Sequence, residues 1–485
     1  MKKALALVFT LLLILSAICG CNVADVSDSA SGGGTSRPPD DTSVDFDDRK
    51  HVSDSLPEAD YGGAEFTILE RTEYNYEFGI EDIGYSTVND LIYERDAKVE
   101  ERFGVTIKTQ QVAGDWGVHE DFIDYVRNTI AGGTCSYDLI AGYAAIMPSL
   151  IAEGCLVNWY DVPYVDLNRD WWSQDFIDEM TVNGQLYLLA GDLSLTFWES
   201  MQGMFFNKDI ASDAQIDDLY QTVRDGEWTF DEMLKAIRQA YNEDSNEDSR
   251  IYGYCTFLTT QIDVYQDAFD IPVTVKGSDG RPYFAVNCEK TYNAVSMIYD
   301  LVWGSEYTYV AESVDDCIKF FGENRALFCP LYLNAGSILN SYDCNYGILP
   351  MPKYSAEQEN YNSTCKDSYS VFAIPDSRED KLEYIGMITE ALCAESYRNV
   401  VPEWYTVILQ NRYTTDEDSI EMIEIIRKGI LCNFGYLYSY ALEWPAHQLN
   451  ICINNRSKDF ASQWEASVGV FEKNLKEQVE YYFDN

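Results

Sequence analysis

Short apolar runs alternate with helical repeats in the first part of the folded body. Residues 66–69 form an apolar run typical of a buried strand, and apolar side chains then recur at helical spacing over 88–103. A second strand over 105–108, a second helix over 122–130 and a third strand over 137–141 follow in order. This alternation predicts an α/β fold with a parallel sheet, helices on its faces and a ligand site at the carboxyl ends of its strands.

Helical spacing dominates beyond Asn207. Thr229 precedes an apolar stripe and Glu232 stands three residues later, which predicts a helix that begins with a capping box. Apolar residues from Phe460 to Val479 predict a long amphipathic helix near the end of the sequence.

The chain opens with the pattern of an export signal. A basic start precedes an apolar run from Ala4 to Ile18, and Gly20 is the small residue expected before a cleavage point. We interpret residues 1–20 as a signal peptide and, because the segment around Gly20 resembles the lipobox of bacterial lipoproteins, Cys21 as the site of lipidation, for example by palmitate. A retained membrane helix and a plain secretory signal with an incidental cysteine are the alternatives.

Residues 21–60 are dominated by Asp, Ser, Gly and Pro. Such a segment buries too little apolar surface to offset the entropy of ordering, so we expect a disordered, lipid-anchored tether. This tether would hold the body at the extracellular face of the cell membrane.

The body from Tyr61 onward is too long for one hydrophobic core and predicts two or more lobes. The net charge of the chain is -47, and loss of Lys2 and Lys3 with the signal takes it to -49. A surface of this sign repels nucleic acid and anionic headgroups. The expected partners are therefore neutral or cationic, with no nucleic acid among them.

Eleven cysteines remain beyond Cys21, and they are widely scattered. They include no C-x-x-C pair and no histidine at zinc spacing, so we expect mostly buried thiols, no metal site and no cofactor. One or two disulfides remain an alternative that sequence does not pair.

Known catalytic patterns are missing from the sequence, including G-x-S-x-G, H-E-x-x-H and G-x-x-x-x-G-K. Three histidines are present, and His51 falls in the predicted tether, which leaves His119 and His447 for histidine-based acid–base work. We therefore predict that the protein is not an enzyme.

Several segments, taken in order, resemble the extracellular solute-binding proteins of family 1, the sugar-binding lipoproteins that serve ABC importers in Gram-positive bacteria. The matching runs are NDLIYER at 89–95, FGVTI at 103–107, YDLI at 137–140, MFFNK at 204–208, GEWT at 226–229 and GILPMPKY at 347–354. Their order and spacing carry the resemblance, which spans most of residues 62–410.

The resemblance implies a type II, periplasmic-binding-protein-like fold of two α/β lobes with a ligand cleft between them. The expected lobes are 62–198 plus 370–410 and 199–369 plus 411–485. It also implies a monomer that binds a carbohydrate, with an oligosaccharide as the favoured ligand, by closing the cleft and delivers it to ABC permease subunits in the membrane.

A neutral sugar needs aromatic rings for its C–H faces and planar polar groups for its hydroxyls. Tyr143 follows the third strand, and Trp198 and Glu199 stand beside the first crossing between the expected lobes. Tyr332 and Asn334 follow the run 326–328, after which the resemblance implies a pocket aromatic. Trp444 lies in a Tyr/Trp-rich stretch of the second expected lobe, and Asp367 and Ser368 lie near the return crossing. The predicted ligand contacts are Tyr143, Trp198, Glu199, Tyr332, Asn334, Asp367, Ser368 and Trp444.

Three other functions stay open at this point. One is a surface carbohydrate hydrolase that uses two carboxylates, which the abundance of Asp and Glu permits. The others are a sensor subunit that presents its ligand to a receptor, and a peptide-binding receptor. The sequence does not identify the sugar.

Overall fold

The computed structural model of the protein describes residues 49–80, 83–84, 86–243, 246, 249–409 and 417–484. The predicted signal peptide, Cys21 and residues 21–48 of the predicted tether lie outside these residues. No helix within the described residues has the length and hydropathy needed to span a bilayer.

The strands of the described residues are, in chain order, β1 (Ala64–Arg71), β2 (Val105–Val112), β3 (Leu139–Tyr143), β4 (Gln202–Asn207), β5 (Tyr252–Thr256), β6 (Thr274–Lys276), β7 (Pro282–Phe284), β8 (Thr308–Val310), β9 (Ala326–Tyr332), β10 (Tyr346–Leu349), β11 (Ser363–Thr364), β12 (Ser370–Ala373) and β13 (Ile430–Leu431).

The α-helices are α1 (Thr87–Phe103), α2 (His119–Ala131), α3 (Gln174–Met180), α4 (Leu195–Glu199), α5 (Lys208–Asp213), α6 (Leu219–Arg224), α7 (Phe230–Ala240), α8 (Thr260–Ala268), α9 (Glu289–Val302), α10 (Val314–Gly322), α11 (Ala335–Leu339), α12 (Leu382–Glu395), α13 (Val401–Leu409), α14 (Glu417–Lys428), α15 (Phe434–Leu437), α16 (Gln448–Asn454) and α17 (Phe460–Asp484). Short 3-10 turns occur at Thr72–Tyr74, Trp116–Val118, Met147–Leu150, Trp159–Asp161, Asp376–Lys381 and Pro445–His447, and a π turn at Ser396–Val400.

The first sheet has the strand order β12-β3-β1-β2. β1 pairs in parallel with both β2 and β3, whereas β12 runs antiparallel to β3. The predicted strand–helix alternation of the first part of the body is therefore confirmed. Because β1, β2 and β3 point the same way, the residues that follow their carboxyl ends share one edge of the sheet.

The second sheet has the strand order β10-β4-β9-β5-β8. β5 lies between β9 and β8 and is parallel to both, and β4 runs antiparallel to β9 and β10. The strands of the two sheets come from separate stretches of chain. The exact lobe boundaries stay a prediction.

The helix signals read from the sequence are largely confirmed. Thr229 caps α7 by accepting a hydrogen bond from the Glu232 N–H, and Gly104 ends α1 at a φ of 60°, which glycine adopts without strain. The terminal helix α17 buries the predicted apolar stripe, including Trp464 and Phe471.

Residues 49–60, at the end of the predicted disordered tether, differ from the prediction. Residues 49–60 lie against the body, because the Asp54 carboxylate pairs with Arg102 at 2.7 Å and with Arg398 at 3.1 Å. The Arg49 guanidinium also lies over the Tyr397 ring, 4.8 Å from its centroid. Composition alone did not reveal these partners, since they sit far along the chain.

Candidate ligand-binding site

Two segments that connect the sheets run side by side. Met201, just before β4, forms a bridge with Cys365, and the Lys366 N–H donates to the Ser200 carbonyl at 3.0 Å. The buried Glu77 carboxylate accepts from the Thr196 N–H at 2.9 Å and from the Ser370 hydroxyl at 2.5 Å, so it ties both segments to the first sheet. This arrangement brings the predicted site residues of the two segments to one place.

An aromatic cluster joins the edge of the first sheet to the segment after α15. The cluster consists of Trp116, His119, Tyr143, Tyr440, Trp444 and His447. Trp116 stacks on His119 with the ring centroids 4.5 Å apart, and its ring meets Tyr143 at 6.4 Å and Trp444 at 5.5 Å. Trp116 is 46% exposed, whereas Tyr143 is buried at the end of β3. The cluster therefore presents partly accessible ring faces supported by buried ones.

The backbone that carries Trp444 is strained. Glu443 and Trp444 have φ values of 66° and 73°, a left-handed conformation that few non-glycine residues adopt. Two hydrogen bonds hold it, from the Trp444 N–H to the Ser439 carbonyl at 2.7 Å and from the Gln448 side chain to the Trp444 carbonyl at 3.0 Å. Strain of this kind costs about 1–3 kcal/mol per residue and concentrates at ligand sites.

His447 is fixed by a buried carboxylate. Its Nδ1 lies 2.7 Å from Asp263 Oδ2, and the other oxygen of Asp263 accepts from the Asn450 side chain at 2.6 Å. Burial lowers the pKa of His447, but the charge and hydrogen bond of Asp263 outweigh it, so the net pKa lies above the ordinary value. The aromatic cluster thus contains an imidazole whose orientation is set.

Charged side chains lie beside the rings. The Lys366 ammonium pairs with Asp367 at 3.0 Å. The Arg71 guanidinium, at the end of β1, donates to the Ser368 carbonyl at 2.8 Å and lies over the Tyr143 ring, 4.9 Å from its centroid. Arg71 Nε and Nη1 are buried without a hydrogen-bond partner. These groups offer donors and acceptors within the same region as the rings.

Glu199 contributes a carboxyl group of altered acidity. Burial raises its pKa to about 7, and a hydrogen bond from the Tyr76 hydroxyl at 2.6 Å opposes that shift. The Asn334 N–H donates to the Glu199 carbonyl at 3.4 Å, and Tyr332 pairs with Gln202 in the second sheet. The pKa of this carboxyl is therefore shifted from the usual range of glutamate towards neutral pH.

An electrostatic coupling with Lys366 places Tyr332 near the Lys366–Asp367 pair. Burial lowers the pKa of Lys366, but Asp367, Tyr332 and Tyr143 together raise it above its ordinary value. Such couplings act between neighbouring groups. Contacts and electrostatic couplings therefore link six of the eight predicted residues, namely Tyr143, Glu199, Tyr332, Asp367, Ser368 and Trp444. Asn334 joins them through its backbone, and its side chain accepts from Ser337.

The structure does not bring Trp198 to the cluster. Its indole is 3% exposed and packs against Trp404 at 6.3 Å and Tyr405 at 5.4 Å. Successive side chains on a helix point about 100° apart, so Trp198 and Glu199 face different surroundings. The prediction that Trp198 contacts ligand finds no geometric support.

Sequence reasoning missed several members of the site. Trp116 follows the carboxyl end of β2, so the rule that selected Tyr143 after β3 would also have found it. Lys366 stands directly before the predicted Asp367. The pairing of His447 with Asp263 left no sequence signal, because the two lie far apart in the chain.

One group of side chains in the described part of the chain has the arrangement of metal ligands. It consists of Cys255, Cys317 and Cys329, all buried. These residues lie on the second sheet and the helix that covers it, and none belongs to the aromatic cluster. None of the eleven described cysteines forms a disulfide, and eight of them are buried.

Solved structures share this architecture. The GacH receptor of Streptomyces glaucescens, solved unliganded and with acarbose, matches with a TM-score of 0.55 and 11% identity over 86% of this chain and 99% of its own. An ABC substrate-binding protein from Listeria monocytogenes in complex with cycloalternan matches with a TM-score of 0.53 and 12% identity over 85% and 99%. A solute-binding protein from Agrobacterium radiobacter in complex with ribitol matches with a TM-score of 0.53 and 12% identity over 86% and 100%.

No family model matches the chain, and no curated protein matches it significantly. At these identities the structural likeness establishes the fold. The chain therefore has the two-lobed α/β fold of ABC transporter solute-binding proteins, as the resemblance of its sequence segments predicted.

Proposed function

We propose that the chain is a lipid-anchored, extracellular solute-binding protein that captures a carbohydrate, preferably an oligosaccharide, between its lobes and delivers it to an ABC importer. The observation that carries this proposal is the meeting of Trp116 and Tyr143 with Trp444, which places rings from the first sheet against rings from the segment after α15. A sugar held there would have aromatic support on its C–H faces.

The polar neighbours of the rings suit hydroxyl groups. Asp367, Lys366, Glu199 and the Ser368 hydroxyl supply planar acceptors and charged donors beside the cluster. A hydroxyl that loses water on closure without finding such a partner costs about 1–3 kcal/mol. Acarbose, cycloalternan and ribitol, the ligands of the three structural neighbours, are all rich in hydroxyl groups, which supports the same class of ligand here.

A thermal-shift screen tests the ligand class. A ligand that binds only the folded protein raises its melting temperature by mass action. We expect one or more oligosaccharides in a panel of mono- and oligosaccharides to raise the melting temperature, and short peptides to leave it unchanged. A panel in which peptides shift the melting temperature and no sugar does would contradict the proposed ligand class.

The anchor is tested separately. Cys21 is the proposed lipid carrier, so Cys21→Ser should release the protein from the membrane fraction into the medium, whereas Cys19→Ser should leave it attached. Release by neither variant would contradict lipidation at Cys21.

A surface carbohydrate hydrolase is the second candidate, and Glu199 is the observation that favours it. A carboxyl with a pKa of about 7 has the acidity of a general acid at neutral pH. Sugar release from a polysaccharide that is lost in Glu199→Gln would support hydrolysis. Tight binding with no release would support the solute-binding proposal.

A further inference from the structure

Three thiols lie close together between two strands of the second sheet and the helix that packs on them. Cys255 lies in β5 and Cys329 in the neighbouring parallel strand β9, where Tyr254 pairs with Phe328 one residue before each cysteine. The two cysteines therefore stand side by side on the same face of the sheet. Cys317 comes from α10, which packs on both strands.

The spacing of the three sulfur atoms fits an ion better than a disulfide. The sulfurs all lie within 4.8 Å of one another, and each cysteine is fully buried. Zn–S bonds of about 2.3 Å hold sulfurs about 4 Å apart, so closing on an ion requires shifts of less than about 1 Å. A disulfide needs an S–S distance of about 2 Å and would join only two of the three sulfurs.

A fourth donor lies next to Cys317. The Gln261 Oε1 atom is 3.4 Å from the Cys317 sulfur, and Gln261 is 1% exposed. The Gln261 Nε2 atom is buried without a hydrogen-bond partner. The same oxygen accepts from the Phe257 N–H at 2.5 Å, which fixes its position. The side chain therefore holds an oxygen beside the thiols, while its own amide nitrogen lacks a hydrogen-bond partner.

All three thiols are fully buried, away from water that could solvate a charge. An ion would compensate the charge that burial otherwise disfavours on three thiolates.

We propose that Cys255, Cys317 and Cys329 bind one Zn²⁺ ion, with the Gln261 side-chain oxygen as the fourth donor. Binding forms three Zn–S bonds and releases three thiol protons to solvent, with no change of oxidation state. Zn²⁺ fits better than Cu⁺ because three thiolates around Zn²⁺ leave one negative charge in the buried site, whereas around Cu⁺ they leave two. The ion would tie α10 to β9, the strand that ends at the ligand-site residue Tyr332. This inference does not depend on the nature of the ligand in the cleft.

Zinc retention by the full-length chain tests the site. The chain is unfolded with reductant, refolded with Zn²⁺, freed of loose metal by gel filtration and analysed by mass spectrometry of the metal. We expect about one zinc per chain, and a loss of at least about tenfold in Cys317→Ser. Cys393→Ser, which removes a buried thiol outside the group, is the matched control and should retain zinc.

Cobalt replaces zinc as a spectroscopic probe and keeps the test decisive if Cys317→Ser does not fold. The wild-type chain refolded with Co²⁺ should show thiolate-to-cobalt charge transfer and the visible bands of a tetrahedral complex. A wild-type chain that retains no zinc and gives no charge-transfer band would overturn the proposal. Equal zinc retention in Cys317→Ser would overturn it as well.

Discussion

The indole rings of Trp116 and Trp444 meet edge to face, with their centroids 5.5 Å apart and their planes at 70°. Trp116 stands on a short turn after β2, and Trp444 stands on a strained backbone between α15 and α16. A flat guest entering this region must part the two rings and replace their contact with its own. The pair is therefore the element of the site that should respond most directly to a sugar.

Removal of either indole should weaken sugar binding more than stability. We expect Trp116→Ala and Trp444→Ala each to lower affinity for the sugar found in the screen by about tenfold or more, because a ring contact contributes about 0.5–1.5 kcal/mol beyond its buried area. Calorimetric titration measures the effect. Tyr283→Ala, which removes a ring that is 52% exposed on the β6–β7 hairpin, is the control and should bind as the wild type does. Unchanged affinity in both tryptophan variants would contradict the site.

Trp198 should behave in the opposite way. Because its ring is buried against Trp404 and Tyr405, Trp198→Ala should lower the free energy of unfolding by about 3–5 kcal/mol. The milder Trp198→Phe should fold and bind sugar with wild-type affinity. Denaturant unfolding and calorimetric titration measure the two effects. A tenfold loss of affinity in a stable Trp198→Phe variant would show that Trp198 contacts the ligand.

Asp263 should control the charge of His447. The two lie 2.7 Å apart, so Asp263→Asn removes the negative charge that raises the imidazole pKa and leaves the opposing effect of burial. Proton NMR titration should show the His447 pKa above the ordinary value in the wild type and lower in Asp263→Asn. The chain has three histidines, so the signals are few enough to assign by substitution. A His447 pKa that does not change would show that the ion pair does not form in solution.

The free energy of unfolding should fall as pH rises from about 5 to about 8. Burial raises the pKa of several carboxyls above the ordinary values of 3.8 for Asp and 4.5 for Glu. The groups are Glu70 at about 8, Asp175 at about 6, and Asp192, Glu199, Asp267 and Glu390 at about 7. At pH values between the ordinary carboxyl pKa values and the raised ones, the folded chain binds more protons than the unfolded chain. Its free energy of unfolding therefore decreases as pH rises.

Melting temperatures check the sign of this effect. We expect a value at pH 5.5 that is at least about 3 °C above the value at pH 8, and a smaller difference in Glu390→Gln, which keeps the acceptor for the Trp172 N–H. Glu465→Gln, at an exposed position of α17, should leave the difference unchanged. A melting temperature that rises with pH would contradict the raised pKa values of the buried carboxyls.

Local sequence patterns predicted the helices and strands of the fold, whereas they did not predict the contacts between segments far apart in the chain. The apolar run at 66–69 and the repeat over 88–103 define β1 and α1 because burial on one face imposes its period on the sequence. Tyr143 was predicted from the direction of a parallel strand, and the same argument covers Trp116. In contrast, Trp198 and Glu199 looked equivalent in sequence, and their different surroundings depend on the packing of α4 against α13.

Side chains that meet across the fold left no pattern to read. Cys255, Cys317 and Cys329 lie within 4.8 Å of one another although they come from two strands and a helix. Spacing rules for metal sites describe ligands on one turn or loop, so they do not detect such a group. The contacts of residues 49–60 with Arg102 and Arg398 were not predicted from composition, because these partners also lie far away in the sequence.

Hydrogen–deuterium exchange with and without the sugar from the screen tests the central claim most directly. If the guest is held between the two walls of the cleft, it should slow exchange in segments of both, at 114–119 and 143–147 on one side and at 332–334, 366–369 and 438–448 on the other. Protection confined to one wall, or placed outside these segments, would contradict the account.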